Sequence, residues 1–235
     1  MKMMMARFSD VYRQEGFLPW LQAQEPVLSV LEGRDVEGCC CYCDAEAQAL
    51  IEARFPQPLP PVRWIDSGDY HYLSCLLALR ETQPFHLLLL DHHPDDQPPS
   101  FDGVLSCGGW VKTLAEASPL LQSVTAIGPE GFPQDLPEGW LERRRGERVY
   151  ISLDKDILSP QYARTDWSQG GMNLAALENL LGRVFASGVH VAALDICGEL
   201  QEEKGACGED LRINLETNME LYNFVKTCLN HYVRD

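Results

Sequence analysis

Short apolar segments alternate with stretches of helical periodicity along most of the chain. Five of the segments are apolar throughout rather than alternating with polar residues, which is typical of strands buried on both faces. They span residues 62–66, 86–91, 123–128, 149–154 and 189–195. Good helix formers or apolar residues at helical spacing predict helices over 44–55, 72–80, 173–187 and 214–232. This alternation predicts an α/β protein of three layers (α/β/α), with a mostly parallel sheet between the helices.

The predicted elements leave no segment long enough to link two domains. The Pro-rich stretch 56–61 and the stretch 128–139 have the length of turns or loops. A chain of 235 residues, 45% of them apolar, is also of ordinary size for one α/β domain. We therefore expect residues 1–235 to form one domain, with an N-terminal part (1–60), a core that carries the candidate chemistry (62–199) and a closing helix (214–235).

The charge of the chain narrows the classes of partner. It carries 19 Lys and Arg against 35 Asp and Glu, which is a formal net charge of −16. This acidic balance argues against nucleic acids and anionic membranes, since those partners need a basic surface. The amino terminus lacks an apolar run of signal-peptide length, and no apolar run in the sequence, the four leucines 87–90 included, is long enough to span a bilayer. We expect a soluble, cytoplasmic protein with a small-molecule partner.

The nine cysteines do not form a recognisable disulfide or zinc pattern. Cys39, Cys40, Cys41 and Cys43 are crowded together, whereas the other five are scattered singly. The odd number and irregular spacing favour reduced thiols in a reducing compartment. A structural zinc site at residues 39–43 would need a second cluster of Cys or His at suitable spacing, so the sequence does not predict one.

Clusters of polar side chains follow three of the predicted strands. Residues two apart in extended backbone point to one side, so neighbouring members of a cluster can converge. Because ligands of open parallel sheets bind at the carboxyl ends of the strands, we expect the three clusters to meet. The clusters are Asp66, Asp69 and His71 after the first strand, Asp91, His93 and Asp95 after the second, and Asp154 and Asp156 after the fourth.

Carboxylates and imidazoles gathered in one crevice indicate a site for metal ions. Several like charges repel, so they either raise their pKa values or bind cations. Mixed oxygen and nitrogen donors suit Mn²⁺, Zn²⁺, Fe²⁺ or Co²⁺ rather than Ca²⁺, which prefers oxygen alone. Four Asp and two His suffice for two ions, and ions about 3.5–4 Å apart can present a bridging hydroxide as a nucleophile. A single Asp after a strand is more simply a cap or turn residue, but the conjunction of clusters is not.

The order and spacing of these residues resemble the ureohydrolase superfamily, whose members include arginase, agmatinase and formimidoylglutamase. That superfamily carries Gly-Gly-Asp-His, then Asp-x-His-x-Asp, then Ser-x-Asp-x-Asp. The similarity extends to Gly170-Gly171 before a helix and to residues 191–199, and it covers about residues 64–199. It implies an arginase-like fold and allows a homo-oligomer. The counterparts of the three motifs are Ser67-Gly-Asp-Tyr-His71, Asp91-His-His93-Pro-Asp95 and Ser152-Leu-Asp154-Lys-Asp156.

The resemblance also implies a role for each of the six side chains. Two divalent ions would be bound, with Mn²⁺ expected and Fe²⁺, Zn²⁺ or Co²⁺ as alternatives. Each ion would have one His and one Asp of its own, and two further Asp would bridge the ions. The implied activity is hydrolysis of a non-peptide C–N bond, in a guanidino, amidino or amide group, by the bridging hydroxide. The implied ligands are His71 and His93, then Asp95 and Asp156, and the bridging pair Asp91 and Asp154.

Two departures from the superfamily pattern concern backbone register. Tyr70 is an extra residue before His71. The Asp-x-x-Glu that grips a guanidinium in arginases corresponds here to Asp195-Ile-Cys-Gly-Glu199, which is one residue too long. Glu199 remains the candidate for orienting a cationic substrate.

A third departure concerns proton transfer. Arginases carry a proton-shuttling His after the Asp-x-His-x-Asp strand, whereas this chain has no His between His93 and His190. Cys107 is the candidate to replace it as proton donor or nucleophile. Trp110 and Trp167 are candidates to line a pocket, with burial in the core as the default. The candidate catalytic residues are therefore Asp156, Cys107 and Glu199.

Three other classes of protein compete with this interpretation. Asp-His-His after an apolar strand also resembles the DHH phosphoesterases, but their earlier Asp-x-Asp is missing, and Lys155 alone is close enough in sequence to serve a phosphate. Histone-type deacetylases share the fold of arginases but depend on adjacent His residues upstream of the metal strand, which are absent. A metal-binding or regulatory protein that has lost catalysis is favoured by the missing shuttle His.

Overall fold

A seven-stranded sheet forms the centre of the computed structural model, which describes residues 2–99 and 103–232. Every pair of neighbouring strands in this sheet is parallel, in the order β2-β1-β4-β9-β8-β5-β7. Two further strands, β3 (Tyr42–Cys43) and β6 (Leu105–Ser106), form a small antiparallel sheet. The seven strands are β1 (Met3–Arg7), β2 (Ser29–Glu32), β4 (Val62–Ile65), β5 (Phe85–Leu90), β7 (Leu121–Ile127), β8 (Arg148–Asp154) and β9 (His190–Cys197).

Helices cover both faces of the sheet and complete the three layers. On one face, α2, α7 and α8 bury Phe17, Leu177 and Leu221 in one apolar cluster. On the other face, α3, α4 and α5 bury their apolar side chains in a second cluster. Within the described ranges, no helix combines the length and apolarity needed to cross a membrane. The helices are α1 (Val11–Gln14), α2 (Phe17–Gln24), α3 (Ala45–Ala53), α4 (Leu73–Ala78), α5 (Trp110–Ala117), α6 (Trp140–Arg143), α7 (Leu174–Ala186) and α8 (Gly208–Tyr232).

This architecture confirms the predicted fold class. The five predicted strands are β4, β5, β7, β8 and β9, each within two residues of its expected bounds. The four predicted helices are α3, α4, α7 and α8, and the Asn173 side chain caps α7 by accepting a hydrogen bond from the Ala176 amide (2.7 Å). The closing helix begins at Gly208, six residues before the expected start, and residues 233–235 of its predicted span lie outside the described ranges.

The first strand of the sheet, β1, is not among the predicted strands. All five residues of β1 are buried, and the strand lies between β2 and β4. The apolar run Met3–Ala6 was considered only as a targeting signal, although a buried parallel strand has the same composition. The N-terminal part thus contributes two strands to the sheet that carries the candidate chemistry.

Asp66, at the end of β4, ties the turn after β1 to the sheet. Its carboxylate is completely buried and accepts hydrogen bonds from the amides of Phe8 (2.9 Å), Ser9 (2.8 Å) and Ser67 (2.8 Å) and from the Ser9 hydroxyl (2.7 Å). Four donors on one carboxylate leave no oxygen free for a ligand. Asp66 therefore stabilises the fold and does not belong to the candidate site.

The variant Asp66→Ala is expected to lower the free energy of unfolding by about 3 kcal/mol, because it leaves buried N–H groups without acceptors. Asp135→Ala is the matched control, since Asp135 is exposed and its surface ion pair with Arg183 is worth less than about 1 kcal/mol. Urea unfolding followed by circular dichroism measures both. Equal midpoints for the two variants would contradict the anchoring role of Asp66.

Candidate metal centre

The second polar cluster is formed by a bend and not by a strand. β5 ends at Leu90, and Asp91 Oδ1 accepts a hydrogen bond from the backbone amide of His93 (2.6 Å). Asp95 adopts a left-handed backbone conformation (φ +47°), which is uncommon for residues other than glycine but tolerated by Asp. The expected convergence of the three side chains therefore has a different cause from the strand alternation that the sequence analysis assumed.

The two carboxylates at the end of β8 are also placed by a turn. Asp154 is the last residue of β8, and Lys155–Ile157 form a 3₁₀ turn in which the Asp156 amide donates to Asp154 Oδ1 (2.9 Å). Gly198 packs directly against this turn. A Cβ atom at that position would lie 2.3 Å from Asp154 Oδ1, and the residue has φ +97°, so only glycine fits. The close approach of the segment after β9 thus holds Asp154 in place.

The extra residue before His71 is absorbed by a 3₁₀ turn. Gly68–Tyr70 form this turn, and the Tyr70 ring stacks on Phe8 with ring centroids 4.3 Å apart. His71 follows directly and is 2% exposed. The turn therefore buries Tyr70 against the N-terminal segment and still directs His71 toward the other clusters.

His71 faces three carboxylates. Its Nδ1 atom lies 3.0 Å from Asp95 Oδ2, 3.3 Å from Asp91 Oδ2 and 3.4 Å from Asp154 Oδ2. All four side chains are almost completely buried. The ligand atoms of His71, Asp91 and Asp95 lie within 4.8 Å of one another, which is compact enough for a single ion.

His93 forms a second group that shares Asp91 with the first. Its Nδ1 atom lies 2.7 Å from Asp156 Oδ2 and 3.7 Å from Asp91 Oδ1. The ligand atoms of Asp91, His93 and Asp156 again lie within 4.8 Å of one another. Asp91 thus presents one carboxylate oxygen to each histidine, as an ion-bridging ligand would.

The two groups line one open cavity with about 380 Å³ of empty space. All six side chains of the predicted metal site reach it. The Trp167 indole, 44% exposed, forms part of its wall, whereas Trp110 is completely buried behind it and donates a hydrogen bond from Nε1 to Asp95 Oδ2 (2.7 Å). The remaining lining residues are Gly68, Gln97, Cys107 and Gly108.

A serine hydroxyl supports each histidine from the side away from the carboxylates. His71 Nε2 lies 2.8 Å from Ser152 Oγ, and His93 Nε2 lies 2.9 Å from Ser168 Oγ. If each hydroxyl accepts from Nε2–H, each Nδ1 keeps its lone pair for a metal ion. Ser152 stands in a motif that the sequence analysis quoted without giving it this role, and no sequence signal marked Ser168.

The variant Ser152→Ala is expected to weaken metal binding by about 10- to 100-fold, because a histidine ligand loses the partner that sets its tautomer and orientation. Ser168→Ala is the matched comparison and should have a smaller effect, since Ser168 is exposed and water can replace its hydroxyl. Isothermal titration with Mn²⁺ measures the affinities. Equal losses for the two serines would contradict the importance of burial at Ser152.

Burial and mutual repulsion disfavour ionisation of the acidic members. Burial and the charge of Asp95 raise the pKa of Asp91 to about 6, and burial and Asp156 raise that of Asp154 to about 7. Burial and Asp91 raise the pKa of Asp156 to about 6. Divalent cations would relieve this repulsion, so the charge distribution favours them.

The same carboxylates hold protons on the histidines. Burial opposes the charged form of His71, but the hydrogen bond and charge of Asp95 outweigh it and raise the pKa of His71 to about 10. Hydrogen bonds to Asp156 and Asp91 raise the pKa of His93 to about 10 as well. A metal ion that binds at either Nδ1 would therefore displace the proton from that nitrogen.

The donor set fits a pair of divalent ions. Asp91 Oδ2 is buried and makes no hydrogen bond, so it has a lone pair available for an ion. One imidazole nitrogen and several carboxylate oxygens at each position match the preferences of Mn²⁺, Fe²⁺, Co²⁺ and Zn²⁺. Asp91, His93 and Asp156 would hold one ion, and His71, Asp95 and the shared Asp91 the other, with Asp154 next to His71.

Two of the three predicted catalytic residues lie at the cavity and the third does not. Asp156 and Cys107 line the cavity. Glu199 does not: it is completely buried, forms an ion pair with the Lys155 ammonium and accepts a hydrogen bond from Asn218 Nδ2 (3.0 Å). This placement disagrees with the expected contact between Glu199 and a cationic substrate.

Asp195, the other half of the expected guanidinium grip, also lies away from the cavity. It sits within β9, completely buried, and pairs with Arg63 Nη1 (3.3 Å) and the Tyr150 hydroxyl. The register places it beside Ser152 on β8, below the carboxyl end of the sheet where the cavity lies. In this chain, where the segment from Asp195 to Glu199 is one residue longer, Asp195 forms a buried ion pair with Arg63 and does not reach a substrate in the cavity.

No protein-family model matches the chain. An uncharacterized protein of Thermotoga maritima is 26% identical over 200 residues, which are 82% of this chain and 77% of the relative.

Solved structures of ureohydrolases share the architecture. A hypothetical agmatinase from Burkholderia thailandensis superposes with a TM-score of 0.63 at 15% identity, over 97% of this chain and 86% of its own. Helicobacter pylori arginase superposes with a TM-score of 0.63 at 11% identity, over 98% of this chain and 99% of its own. At such low identity the likeness defines the fold, so the chain has an arginase-like α/β fold.

Proposed function

We propose that this protein is a dinuclear-metal hydrolase that cleaves a non-peptide C–N bond in a guanidino, amidino or amide substrate. The observation that carries the proposal is the pair of compact ligand groups that share Asp91 at the base of one open cavity. The structural neighbours described as agmatinase and arginase support the reaction class. Mn²⁺ is the expected ion, with Fe²⁺, Zn²⁺ and Co²⁺ as alternatives.

The chain would hold the ions and keep their ligands in a fixed geometry. When bound, two divalent ions would lower the pKa of water toward neutrality and polarise the trigonal carbon of the substrate. Asp91 and Asp154 would hold both ions together, while Ser152 and Ser168 orient the histidines. The Trp167 ring would cover one side of a substrate placed in the cavity.

Cys107 is the candidate proton donor for the leaving nitrogen. Apart from the six metal-site residues, it is the one cavity-lining side chain in the described ranges that belongs to an ionisable residue type. Gln97 and the Trp167 indole are not acids at neutral pH. A thiol at this position would take the part of the histidine that arginases use, by protonating the departing amine.

A phosphodiester substrate is less compatible with this cavity. No lysine or arginine in the described part of the chain lines it. Lys155 lies next to the metal-site aspartates in sequence, but its ammonium is buried between Glu199 and Asn218. A phosphoryl group would therefore lack a cationic partner from the protein, which argues against the DHH phosphoesterase alternative.

Metal analysis followed by a substrate screen tests the proposal. Protein reconstituted with Mn²⁺ should retain two ions per chain after dialysis, and fewer than one ion would rule out the site. The loaded protein should then release urea or ammonia from at least one member of a panel of guanidino, amidino and amide compounds. Asp154→Asn, which should lose metal, is the negative control for turnover.

A non-catalytic metal-binding protein is the second candidate, favoured by the absence of a histidine in the shuttle position. It predicts two bound ions and no turnover on any member of the panel. The variant Cys107→Ser separates the two candidates further: it should reduce turnover and leave metal content unchanged in an enzyme, and it should have no measurable effect in a binding protein.

A further inference from the structure

A group of thiols lies beside the cavity, outside the metal centre described above. The small sheet of β3 and β6 brings residues 40–41 next to Cys107, whose amide donates to the Cys41 carbonyl (2.9 Å). The Cys41 amide in turn donates to the Asp69 carbonyl (3.2 Å). Segments far apart in sequence therefore place Cys40, Cys41, Asp69 and Cys107 together.

The side chains of three of these residues are compact enough to hold one ion. The ligand atoms of Cys40, Cys41 and Asp69 all lie within 4.8 Å of one another. The Cys40 thiol donates a hydrogen bond to Asp69 Oδ2 (3.4 Å), and the Cys41 sulfur lies within 4.8 Å of the other two ligand atoms. Asp69 forms the buried base of the group, whereas Cys40 is exposed, so an ion can enter from solvent.

The backbone at Cys41 explains how adjacent residues serve one point. Neighbouring side chains of an extended segment point to opposite sides. Cys41 has a left-handed conformation (φ +58°), which interrupts that alternation and lets both thiols reach Asp69. Such a conformation is unfavourable for a residue with a Cβ atom and is concentrated at functional sites.

Two buried carboxylates and one lysine lie at this group of thiols. Asp69 is completely buried and forms an ion pair with the Lys204 ammonium. Burial and the nearby Asp69 charge raise the pKa of the Cys40 thiol to about 12. The Lys204 ammonium, 39% exposed, contacts Asp69 and Asp166 and partly balances their charge.

We propose that Cys40, Cys41 and Asp69 bind a thiophilic divalent ion of the Zn²⁺ class. Two thiol protons leave to solvent as two metal–sulfur bonds form, so Zn²⁺ replaces two protons and no oxidant or reductant is needed. Two sulfur donors distinguish this site from the imidazole and carboxylate centre, which suits harder ions. Sequence spacing alone did not predict it, because Asp69 joins the two cysteines only in the folded chain.

Cadmium is the spectroscopic probe, because only thiolate ligands give its ultraviolet charge-transfer band. The reduced, full-length protein titrated with Cd²⁺ should develop this band to one equivalent, and Zn²⁺ should displace it. The double variant Cys40→Ser/Cys41→Ser should bind at least about 100-fold more weakly, since even loss of an outer-shell partner costs 10- to 100-fold. Cys207→Ser, which removes a different exposed thiol, should bind normally.

The same titration is independent of the proposed hydrolase site. Asp91→Asn should keep the cadmium band even where it loses Mn²⁺, and the double cysteine variant should keep two Mn²⁺ ions. A band that persists in the double variant would overturn the proposal and place the thiolate elsewhere, for example at Cys197, which lies beside His71 and Asp154.

Alkylation provides a second measurement that does not depend on the variants. With Zn²⁺ present, Cys40 should react with N-ethylmaleimide at least about tenfold more slowly than without it, whereas Cys207 in the same sample should react at an unchanged rate. Peptide mass spectrometry reads both sites. Equal protection of Cys40 and Cys207, no protection of either, or a Cys41–Cys107 disulfide in place of bound metal would each contradict the proposal.

Discussion

Replacing Asp91 with Asn should weaken metal binding at both positions of the centre, because Asp91 gives one carboxylate oxygen to each histidine. Oδ2 lies 3.3 Å from His71 Nδ1, and Oδ1 lies 3.7 Å from His93 Nδ1. Removing an outer-shell partner costs about 10- to 100-fold in affinity, so removing a shared ligand should cost at least about 100-fold. Isothermal titration with Mn²⁺ and metal analysis after dialysis measure the loss, and turnover should fall with it.

Two further variants make the Asp91 experiment specific. Asp95→Asn should weaken one ion and spare the other, because Asp95 belongs only to the His71 group. Asp96→Asn, an exposed acid next in sequence, should retain both ions. A variant of Asp91 that still holds one ion at full affinity would contradict its shared role.

Removing metal should lower the thermal stability of the protein by a large amount. An ion held at 1,000 times its dissociation constant stabilises the folded state by about 4 kcal/mol. In a domain of this length, each kcal/mol corresponds to about 2–4 °C in Tm, so one site alone should raise Tm by at least about 8 °C. Differential scanning calorimetry with Mn²⁺ and after chelation by EDTA measures the difference.

The metal-free protein should also lose stability as the pH rises from 5 to 8. Burial with repulsion raises the pKa of Asp154 to about 7 and those of Asp91 and Asp156 to about 6. The folded state therefore binds more protons than the unfolded chain above pH about 4, and stability falls as the carboxyls ionise. His71 and His93, with pKa values raised to about 10, act in the same direction. Their stabilisation is complete below about pH 6.5 and is lost as the pH rises toward 10.

Bound metal should reverse this dependence, because deprotonated ligands bind it better. The Tm of the chelated protein should thus fall between pH 5 and pH 8, while the gain on adding Mn²⁺ grows. Asp91→Asn should show little gain at either pH. A chelated protein whose Tm is constant or rises over this range would contradict the charge repulsion inferred for the centre.

The predicted strands were found because their signal is local. A segment buried on both faces must be apolar throughout, and β5 and β8 show this in their own residues. β1 carries the same signal in Met3–Ala6, but the amino terminus was assessed only for a signal peptide, for which its apolar run is too short. The small strands β3 and β6 have two residues each, which is too few for any periodicity to mark them.

Convergence of the metal-site residues follows from topology, whereas their exact placement does not. Parallel strands have their carboxyl ends on one side of the sheet, and the order β4-β9-β8-β5 keeps the three clusters within four consecutive strands. The bends at Asp91 and Asp154, stabilised by carboxylate-to-amide hydrogen bonds, set which oxygen meets which histidine. Strand alternation, the assumed cause, stops where β5 ends at Leu90.

The order of residues along the chain was sufficient to predict the α/β class and five of the seven strands of the central sheet. It was also sufficient to predict which side chains come together at the carboxyl ends of those strands. The partners of the other buried groups were determined by long-range packing. Glu199 pairs with Lys155, Asp195 pairs with Arg63, and Asp69 accepts a hydrogen bond from Cys40. The physical reason is that apolar patterning and residue spacing act over a few residues. The partner of a buried charge or thiol, in contrast, is set by which distant segments pack together.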